Sequence, residues 1–381
     1  MSGAAPADAP PASRGRRWRV RLVLPALAAL VAISIVASTA LGATTIAPAR
    51  VVAIVLSHLA DLRVTNAHVA HAHVAHAHVA HAHVAHAHVA DTLARSGASF
   101  AEDSIVWQIR LPRALLAALV GATLAMVGVA LQAATANRLA DPHLLGVSSG
   151  AMLGAVAATL GLGAAFGPFT LSFAAFAGAL AATALVIALA YRRGRLEPER
   201  LLLAGVAVSF MMTALANLLL YLGDPRAASS VLFWMLGGVG LARWDLLAAP
   251  ACCAAFAALL LFARRRELNA LMSGDVAAVS LGVPVARMRR EVFVIASFAT
   301  GAMVAVSGAI GFVGLVTPHL CRRLVGAEHA RLLPVAGLSG AALLVWADLA
   351  ARTLAAPEDL PIGIVTAGLG GAFFVALMRR R

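Results

Sequence analysis

Apolar stretches of about 20 residues recur along the chain from Leu22 to its C-terminal end. A helix of that length crosses the hydrocarbon layer of a bilayer, because it rises about 1.5 Å per residue across about 30 Å. The pattern therefore predicts an all-α membrane protein with about ten transmembrane helices. The predicted spans are 22–43, 113–135, 144–164, 169–191, 200–222, 246–263, 291–310, 311–326, 332–354 and 361–378.

Two of these spans, 291–310 and 311–326, follow each other without a polar connection. Gly308, Gly311, Gly314 and Pro318 cluster where the two spans meet. Backbone that leaves the helix inside a membrane must be buried in protein or line a cavity. We therefore expect a broken or short helix pair in this region.

The composition agrees with a membrane protein and excludes a soluble one. Of the 381 residues, 61% are hydrophobic and 12% are charged, and the mean hydropathy is +0.88. A soluble domain has about half apolar and about a quarter charged residues. The net charge of +13 does not indicate nucleic-acid binding, because the arginines form short clusters between apolar runs and no basic face carries interleaved aromatic residues.

The arginine clusters predict the orientation of the spans. Connections on the cytoplasmic side of a bilayer carry an excess of basic residues. With the N-terminus inside, the cytoplasmic connections hold the arginines at positions 138, 192–195, 264–266, 287–290, 322–323 and 379–381. An even number of spans with both termini in the cytoplasm fits this distribution, in a multi-pass protein of the bacterial inner membrane.

Residues 1–21 precede the first predicted span and are rich in alanine, proline and arginine. We expect a disordered cytoplasmic segment here. The apolar run from Leu22 to Ala43 resembles the core of a signal peptide, but its length suits a span and no small-residue cleavage site follows it. We therefore expect an uncleaved first helix, and a transmembrane domain over residues 22–381.

A tandem repeat of histidine, valine and alanine occupies residues 68–90, within a low-complexity insertion at about 66–91. It contains nine of the 13 histidines. The five-residue period does not keep histidines on one helix face or one strand face. Weak metal capture outside the membrane and a tolerated tandem repeat both stay open, and we favour the second. The histidines that would bind such a metal are His68, His71, His73, His76 and His78.

Two connections are too long for simple turns: residues 44–109 on the predicted outer side and 264–290 on the predicted cytoplasmic side. In the second, apolar residues recur at helical spacing, and glycines punctuate the pattern. These positions are Leu268, Leu271, Met272, Val276, Val279 and Leu281, with Gly274 and Gly282. The pattern predicts either two short helices joined by a turn or a packed amphipathic linker.

We expect a transport protein rather than an enzyme. The sequence contains no H-E-x-x-H or Walker A motif, so neither a zinc protease nor an ATP-binding chain is indicated. A secondary transporter or metal-ion carrier driven by an ion gradient is the alternative to an ATP-driven importer. Such a carrier needs ionisable residues near the middle of the membrane, whereas Asp348 and His319 are predicted near span ends.

Several local motifs are more specific than apolar spans. They are Trp107–Arg113, Asn137–Ala151, Leu202–Val206, Trp234–Gly238, Gly308–His319, Ala347–Arg352 and Leu360–Gly368. With these motifs in this order, the chain resembles the FecCD family from about Ser104 to its C-terminal end. Members are permease subunits of type II ABC importers, which carry cobalamin, ferric siderophores or haem from periplasm to cytoplasm.

The resemblance implies partners rather than cofactors in this chain. It implies a second permease copy, as a homodimer or a close heterodimer, with the transport path between the copies. Two cytoplasmic ABC ATPase subunits would bind ATP and magnesium, and a periplasmic binding protein would deliver the cargo. The remaining expected contact is membrane lipid, with no nucleic acid.

The resemblance also implies roles for individual residues. The family's ATPase-coupling element corresponds to Leu268, Asn269, Gly274, Asp275, Leu281 and Gly282. An arginine cluster that docks acidic residues of the binding protein corresponds to Arg110, Arg113 and Arg352. These arginines would otherwise anchor helices, and Asp348 lies one turn before Arg352 and can pair with it.

The fifth and tenth spans line the transport path in the family. Here they carry small, polar and apolar residues, of which Ser209, Met212, Asn217 and Thr366 are the candidate pathway positions. The chain departs from the family pattern at Arg138, where a proline is common, near Gly371, where a proline is absent, and in the histidine insertion. The first two departures weaken inferences about local helix breaks.

Overall fold

The computed structural model describes residues 12–69, 99–161, 169–192, 195–224 and 231–379. Most of these residues are helical. The helices are α1 (Ala12–Ala40), α2 (Pro48–Val69), α3 (Phe100–Ala134), α4 (Val147–Gly161), α5 (Thr170–Ala190), α6 (Pro198–Leu222), α7 (Trp244–Ala263), α8 (Arg265–Met272), α9 (Asp275–Ser280), α10 (Val285–Ser307), α11 (Val313–Val325), α12 (His329–Leu354) and α13 (Ile362–Met378).

Shorter elements complete the described chain. A 3-10 turn covers Pro142–Leu145, and a short helix covers 231–235. Strands β1 (Tyr191–Arg192) and β2 (Arg195–Leu196) form an antiparallel pair in which Tyr191 lies opposite Leu196. The histidine repeat lies outside the described residues, apart from the backbone of its first two positions.

Each of the ten predicted spans coincides with one helix, so the predicted all-α membrane fold is confirmed. In the part of the chain that the structure describes, seven helices are long and apolar enough to cross a bilayer. They begin at Leu22, Phe100, Thr170, Glu199, Trp244, Val285 and His329. Helices α4 and α13 are apolar but shorter, and α11 has 13 residues.

The structure differs from the prediction at the N-terminal side. Helix α1 begins at Ala12, so residues 12–21, which composition predicts to be disordered, continue the first span as helix. Arginine is a good helix former, and no proline or glycine separates Arg16 from Leu24. The remaining residues of that predicted segment, 1–11, lie outside the described chain.

Helix α2 has no counterpart among the predicted spans. It lies in the long outer connection, where only the stretch Pro48–Ala60 is apolar. Its residues Val51 and Ile54 are buried against Ala40, Ile46 and Val106. The helix therefore forms a small core of its own beside the ends of α1 and α3.

Helix α3 is the centre of the bundle, because most of it is buried and it contacts α12, α10, α11 and α7. Two glycine pairs bring its backbone against its neighbours. A Cβ built on Gly121 would overlap the carbonyl of Gly340 in α12, and one on Gly128 would overlap Gly314 in α11. Small residues at a crossing let two helix backbones touch, so these contacts set the positions of α11 and α12.

The predicted break between the spans 291–310 and 311–326 is confirmed. Helix α10 ends at Ser307, residues 308–312 are non-helical, and α11 begins at Val313. Gly308 has φ 63° and Phe312 has φ 67°, both in the left-handed region. Because Gly314 packs at Gly128, about 9 Å along α3 from its end at Ala134, α11 begins inside the membrane layer.

Helices α6 and α13 lie at the margin of the bundle. Helix α6 packs against α4 and α5, whereas α13 packs against α12 and α11. Both leave apolar side chains exposed. These include Leu203, Phe210, Leu218 and Tyr221 in α6, and Ile364, Leu369 and Val375 in α13.

Candidate functional site

The predicted cytoplasmic arginines gather at one end of the bundle, here called the inner end. Arg289 Nε donates to the carbonyl of Ala134 at 2.8 Å, and Arg322 Nη1 donates to Gln132 Oε1 at 2.5 Å. Both acceptors lie in the last turn of α3. The opposite end holds Arg110, Arg113 and Arg352 and is called the outer end. The assignment of the two ends to cytoplasm and periplasm stays a prediction.

Helices α8 and α9 form the connection at the inner end that the motifs assign to ATPase coupling. The predicted pair of short helices is present, with its turn at Gly274, where φ is 95°. Leu268 and Leu271 are buried beneath α8. Asn269 Oδ1 accepts a hydrogen bond from the backbone N–H of His329 at 2.9 Å and contacts its Nδ1 at 2.7 Å. Helix α8 is therefore attached to the start of α12.

A buried arginine attaches α9 to two further helices. The Asp275 carboxylate accepts hydrogen bonds from Arg289 Nη1 at 2.9 Å and Nη2 at 2.6 Å. The same guanidinium reaches Ala134 at the end of α3. A planar guanidinium holds a carboxylate with two parallel bonds. The start of α9 is thereby fixed to both α10 and α3.

An apolar surface faces away from the bundle on the other side of this segment. Val276 is 87% exposed, Val279 is 62% exposed and Leu281 is 70% exposed. We call these three residues the coupling face. Of the predicted coupling residues, Leu281 and Gly282 lie at this exposed side, while Leu268, Asn269 and Asp275 make the internal contacts. The motifs do not assign Val276 and Val279 to ATPase coupling, although both follow the helical spacing of the segment.

At the outer end, Arg113 connects three parts of the chain. Its Nε donates to Asp348 Oδ1 at 2.9 Å, and its Nη1 donates to Asp359 Oδ2 at 2.6 Å. Arg352 Nε lies 3.2 Å from the other oxygen of Asp348. The possible Asp348–Arg352 pair that the sequence indicates is therefore formed, and Arg113 shares it.

The other arginine donors are directed to the end of α1. Arg352 Nη2 donates to the carbonyl of Ser38 at 2.7 Å and to its Oγ at 2.8 Å. Arg110 Nη2 donates to the Thr44 carbonyl at 2.7 Å, and its Nη1 donates to the Thr39 carbonyl at 3.0 Å. Arg110 is 7% exposed and Arg113 is 8% exposed. These contacts are those of helix anchors, and the docking role stays a prediction.

An aromatic cluster at the outer end holds α2, and the sequence did not indicate it. The His58 ring stacks on Trp107 with centroids 4.1 Å apart, and His58 Nε2 lies 3.0 Å from Asp103 Oδ1. Trp244 Nε1 donates to the Trp107 carbonyl at 2.8 Å. Trp107 begins the Trp107–Arg113 motif, but its partners His58 and Trp244 are distant in sequence.

The candidate pathway residues lie on two helices that pack on different neighbours. On α6, Ser209 and Met212 are half-buried and Asn217 is exposed. On α13, Thr366 is buried, and its Oγ1 donates to the Gly363 carbonyl at 3.2 Å. In one copy of the chain these positions therefore belong to separate margins of the bundle.

A cavity of about 550 Å³ lies between the 308–312 break, the start of α13 and the loop before α4. Most of its wall is apolar, with Leu236, Phe312 and Ile364 among the lining residues. Asp141 and His143 supply its ionisable groups. The sequence did not indicate these two residues, because they precede the predicted span 144–164.

The comparison with protein families agrees with these features. The profile of the FecCD transport family matches residues 29–380, nearly the whole chain.

The chain belongs to the FecCD transport family.

Two curated relatives and one solved structure show how similar the members are. The chain is 43% identical over 278 residues to the cobalamin import system permease protein BtuC of Halobacterium salinarum, covering 73% of this chain and 74% of the relative. It is 40% identical over 280 residues to the hemin transport system permease protein HmuU of Yersinia pestis, covering 72% and 84%. A metal-chelate type ABC transporter in an inward-facing conformation matches with a TM-score of 0.75 at 28% identity, covering 95% of this chain and all of that chain.

This FecCD protein is therefore a multi-pass inner-membrane permease of an ABC importer. Membership places it among transport subunits, and it favours ATP-driven import over the ion-gradient carrier that the sequence left as an alternative. An ATPase and a binding protein are the partners that the family implies.

Proposed function

We propose that two copies of this chain form the path by which a metal chelate or corrinoid enters the cytoplasm, driven by two ATPase subunits at the inner end. The observation that carries the proposal is the coupling face. An exposed apolar surface of this kind marks an interaction site. Here it lies on a segment that buried polar contacts attach to α3, α10 and α12.

The internal contacts explain how an ATPase would move the bundle. Asp275 and Arg289 connect α9 to α10 and to the end of α3, while Asn269 connects α8 to α12. A displacement of the coupling face is therefore transmitted to three helices together. Rigid-body motion of packed helices is a common form of switching between two conformations. ATP and magnesium belong to the ATPase in this proposal.

The exposed margins of α6 and α13 support a dimer. A two-fold axis would place the same apolar surface of each copy against the other. The helices that sequence resemblance assigns to the path would then face each other across it. Their apolar and small side chains suit a bulky organic cargo, because residues 201–222 of α6 and 362–378 of α13 include no charged side chain.

The cargo class follows from the relatives. Curated relatives are named for cobalamin and hemin transport, and the solved neighbour is described as a metal-chelate type transporter. Haem, cobalamin and ferric siderophores are all bulky organic metal complexes. The choice among them would rest largely with the binding protein that delivers the cargo.

Docking of that binding protein is proposed at the outer arginines. Arg113 is buried, but its partner Asp359 has a side chain that is 53% exposed. A carboxylate of the binding protein would reach the guanidinium by replacing Asp359, whereas Asp348 would stay in place. Arginine is well suited to this exchange, because its fork accepts a second carboxylate in the same geometry.

The experiment that tests the function is ATP-dependent uptake in proteoliposomes. Permease, ATPase and binding protein are reconstituted together, and uptake of haemin, cyanocobalamin and a ferric siderophore is measured. We expect uptake of at least one cargo, which requires ATP and persists when the proton gradient is collapsed. Uptake that needs the gradient and not ATP would establish the carrier alternative.

A variant of the coupling face tests the step that carries the proposal. Val276→Asp together with Val279→Asp places charges on the surface that would contact the ATPase, while both side chains are exposed and leave the bundle core intact. We expect co-purification of the ATPase and uptake to be lost with unchanged thermal unfolding. Arg290→Ala, an exposed change near the same end, is the matched control.

A further inference from the structure

Two polar atoms in the wall of the 550 Å³ cavity have no hydrogen-bond partner among the described residues: Asp141 Oδ2 and His143 Nε2. Asp141 is 5% exposed. Its other oxygen, Oδ1, accepts from the backbone N–H of His143 at 2.8 Å and caps the 3-10 turn. The 3-10 turn thus occupies Asp141 Oδ1, while Asp141 Oδ2 and His143 Nε2 remain at the cavity without a partner among the described residues.

These atoms lie at membrane depth. An ideal Cβ on Gly314 would be 3.4 Å from Asp141 Oδ2 and 2.9 Å from the Leu124 carbonyl, so Asp141 lies beside the stretch of α3 around Leu124. Gly314 also packs at Gly128, so this position lies between Gly128 and Leu124, about 9–15 Å along the axis from the end of α3 at Ala134. Ionisable side chains at such depth are costly and mark transport paths.

The number of donors limits what the pair can bind. Protein sites for a bare transition metal use three or four side chains. In the described part of the chain no group of three histidine, cysteine or acidic residues is close enough to hold an ion. Two donors in an otherwise apolar cavity suit a metal that already carries most of its ligands. A cavity of this volume is also in the range that accepts an organic ligand.

We infer that Asp141 and His143 form a binding position for the metal complex during its passage through the membrane. His143 Nε2 would occupy an exchangeable coordination position of the metal, and Asp141 Oδ2 would accept a hydrogen bond from the chelator. The apolar wall, with Leu236, Phe312 and Ile364, contacts the organic rim. This inference rests on the proposed function, because it takes the cavity to be part of the transport path.

A glycine next to the pair provides a mild way to block it. An ideal Cβ on Gly311 would lie 3.6 Å from His143 Nε2, an ordinary van der Waals contact, and its other nearest neighbours belong to the same ring. Gly311→Ala therefore leaves the backbone in place and puts a methyl group beside the nitrogen. Gly311→Ala thus tests the site without removing the histidine.

The experiment is a binding titration with ferric haemin on the purified full-length permease in nanodiscs, with metal-free protoporphyrin IX as the matched probe. Wild type, His143→Leu, Asp141→Asn and Gly311→Ala are compared. The amide introduced by Asp141→Asn keeps an oxygen that can cap the turn. Arg290→Ala, an exposed change outside the cavity, is the control. Because every variant keeps the histidine repeat, the difference from wild type isolates the cavity.

In the electron paramagnetic resonance spectrum of wild type, we expect the signal of one histidine-ligated ferric haem per protomer. That signal should be absent from the spectrum of His143→Leu. Haemin affinity should fall at least about tenfold, as for loss of a metal contact, and several-fold in Gly311→Ala and Asp141→Asn. Protoporphyrin binding by the three cavity variants, and haemin binding by Arg290→Ala, should match wild type. Uptake of the transported chelate by the reconstituted importer should fall in the same order.

Equal haemin spectra and affinities in wild type, His143→Leu and Gly311→Ala would overturn the inference. A failure of the proposed function is distinguishable, because it would appear as absent ATP-dependent uptake in wild type while histidine-dependent haemin binding remained. If His143→Leu does not fold, the Gly311→Ala result decides.

Discussion

At the scale of single residues, the buried charge of Asp348 at the outer end is held in a shared pair. Asp348 is fully buried and lies between two guanidiniums, with Arg113 Nε at 2.9 Å and Arg352 Nε at 3.2 Å. Each arginine also bonds outside the pair, to Asp359 and to Ser38. Removing one partner of a buried pair costs far more than the pair contributes, because it leaves a desolvated charge.

Asp348→Asn should therefore be strongly destabilising. It leaves two buried guanidiniums with one neutral acceptor, so we expect a loss of about 3 kcal/mol in the free energy of unfolding. Thermal unfolding of the detergent-solubilised protein checks this. Asp359→Asn is the matched control, and because that carboxylate is half-exposed its effect should stay within about 1 kcal/mol. Equal losses in the two variants would show that burial of Asp348 does not decide the outcome.

At the scale of elements, the crossings of α3 depend on glycine. The contact between Gly121 and Gly340 leaves no room for a side chain on either backbone. Overpacking of a tight contact forces the neighbouring elements apart. The position of α12, which carries Asp348 and Arg352, is thereby coupled to one small residue in α3.

Gly121→Ala tests this crossing. Because its Cβ would overlap the Gly340 carbonyl, we expect a loss of about 1–3 kcal/mol in the free energy of unfolding. Gly161→Ala, at the end of α4, is the control, because no described atom lies within 4 Å of the added methyl. Unfolding measurements that find the two variants alike would mean that the α3–α12 crossing adjusts freely.

The sequence predicted the positions of the helices better than it predicted how deep the connecting loops lie in the membrane. Apolar run length located a helix at each of the ten predicted spans and also the broken pair, because helices that lie in a bilayer need long apolar runs. Helix α2 was missed because polar residues after Ala60 end its apolar stretch. Asp141 and His143 were treated as a connection, because run length alone does not reveal that α4 begins only at Val147 and that the preceding loop lies beside α3.

The site was predicted in part for a similar reason. Motifs located the coupling segment and the outer arginines, but not their contacts. Asp275 pairs with Arg289, and Asn269 pairs with His329, 60 residues away. Such pairs depend on how helices pack, which one sequence does not specify. Local spacing did indicate the exposed Val276 and Val279, because both follow the helical period.

At the scale of the whole molecule, the inner and outer ends are connected through one continuous set of contacts. Arg289 of α10 bonds both to Asp275 in the coupling segment and to the last residue of α3. Arg113, near the other end of α3, bonds to Asp348 and Asp359. Transport requires both ends to change in a concerted way. Loosening the inner contact should therefore uncouple ATP hydrolysis from movement of cargo without unfolding the protein.

Asp275→Ala makes that change. Its side chain is 53% exposed, so the loss of stability should be small. The start of α9 loses its bond to Arg289 in α10, which is its connection to α3. In the reconstituted importer we expect ATP hydrolysis to continue while uptake per ATP falls several-fold. Arg290→Ala should keep the wild-type ratio. A parallel decrease of hydrolysis and uptake in Asp275→Ala would instead indicate a defect in ATPase binding.

The glycine contact between Gly121 and Gly340 has a mechanical consequence. The stretch Leu111–Ala134 is 24 residues long, or about 36 Å, and this contact lies between its two charged attachments. The outer end of α3 has ion pairs, the inner end has a hydrogen bond from Arg289 to a backbone carbonyl, and the close backbone contact lies between them. Helix α3 is therefore arranged as a lever over a fulcrum. A push of a few ångströms at Ala134 would then reach Arg113 with its direction reversed, so that one end of the path opens as the other closes.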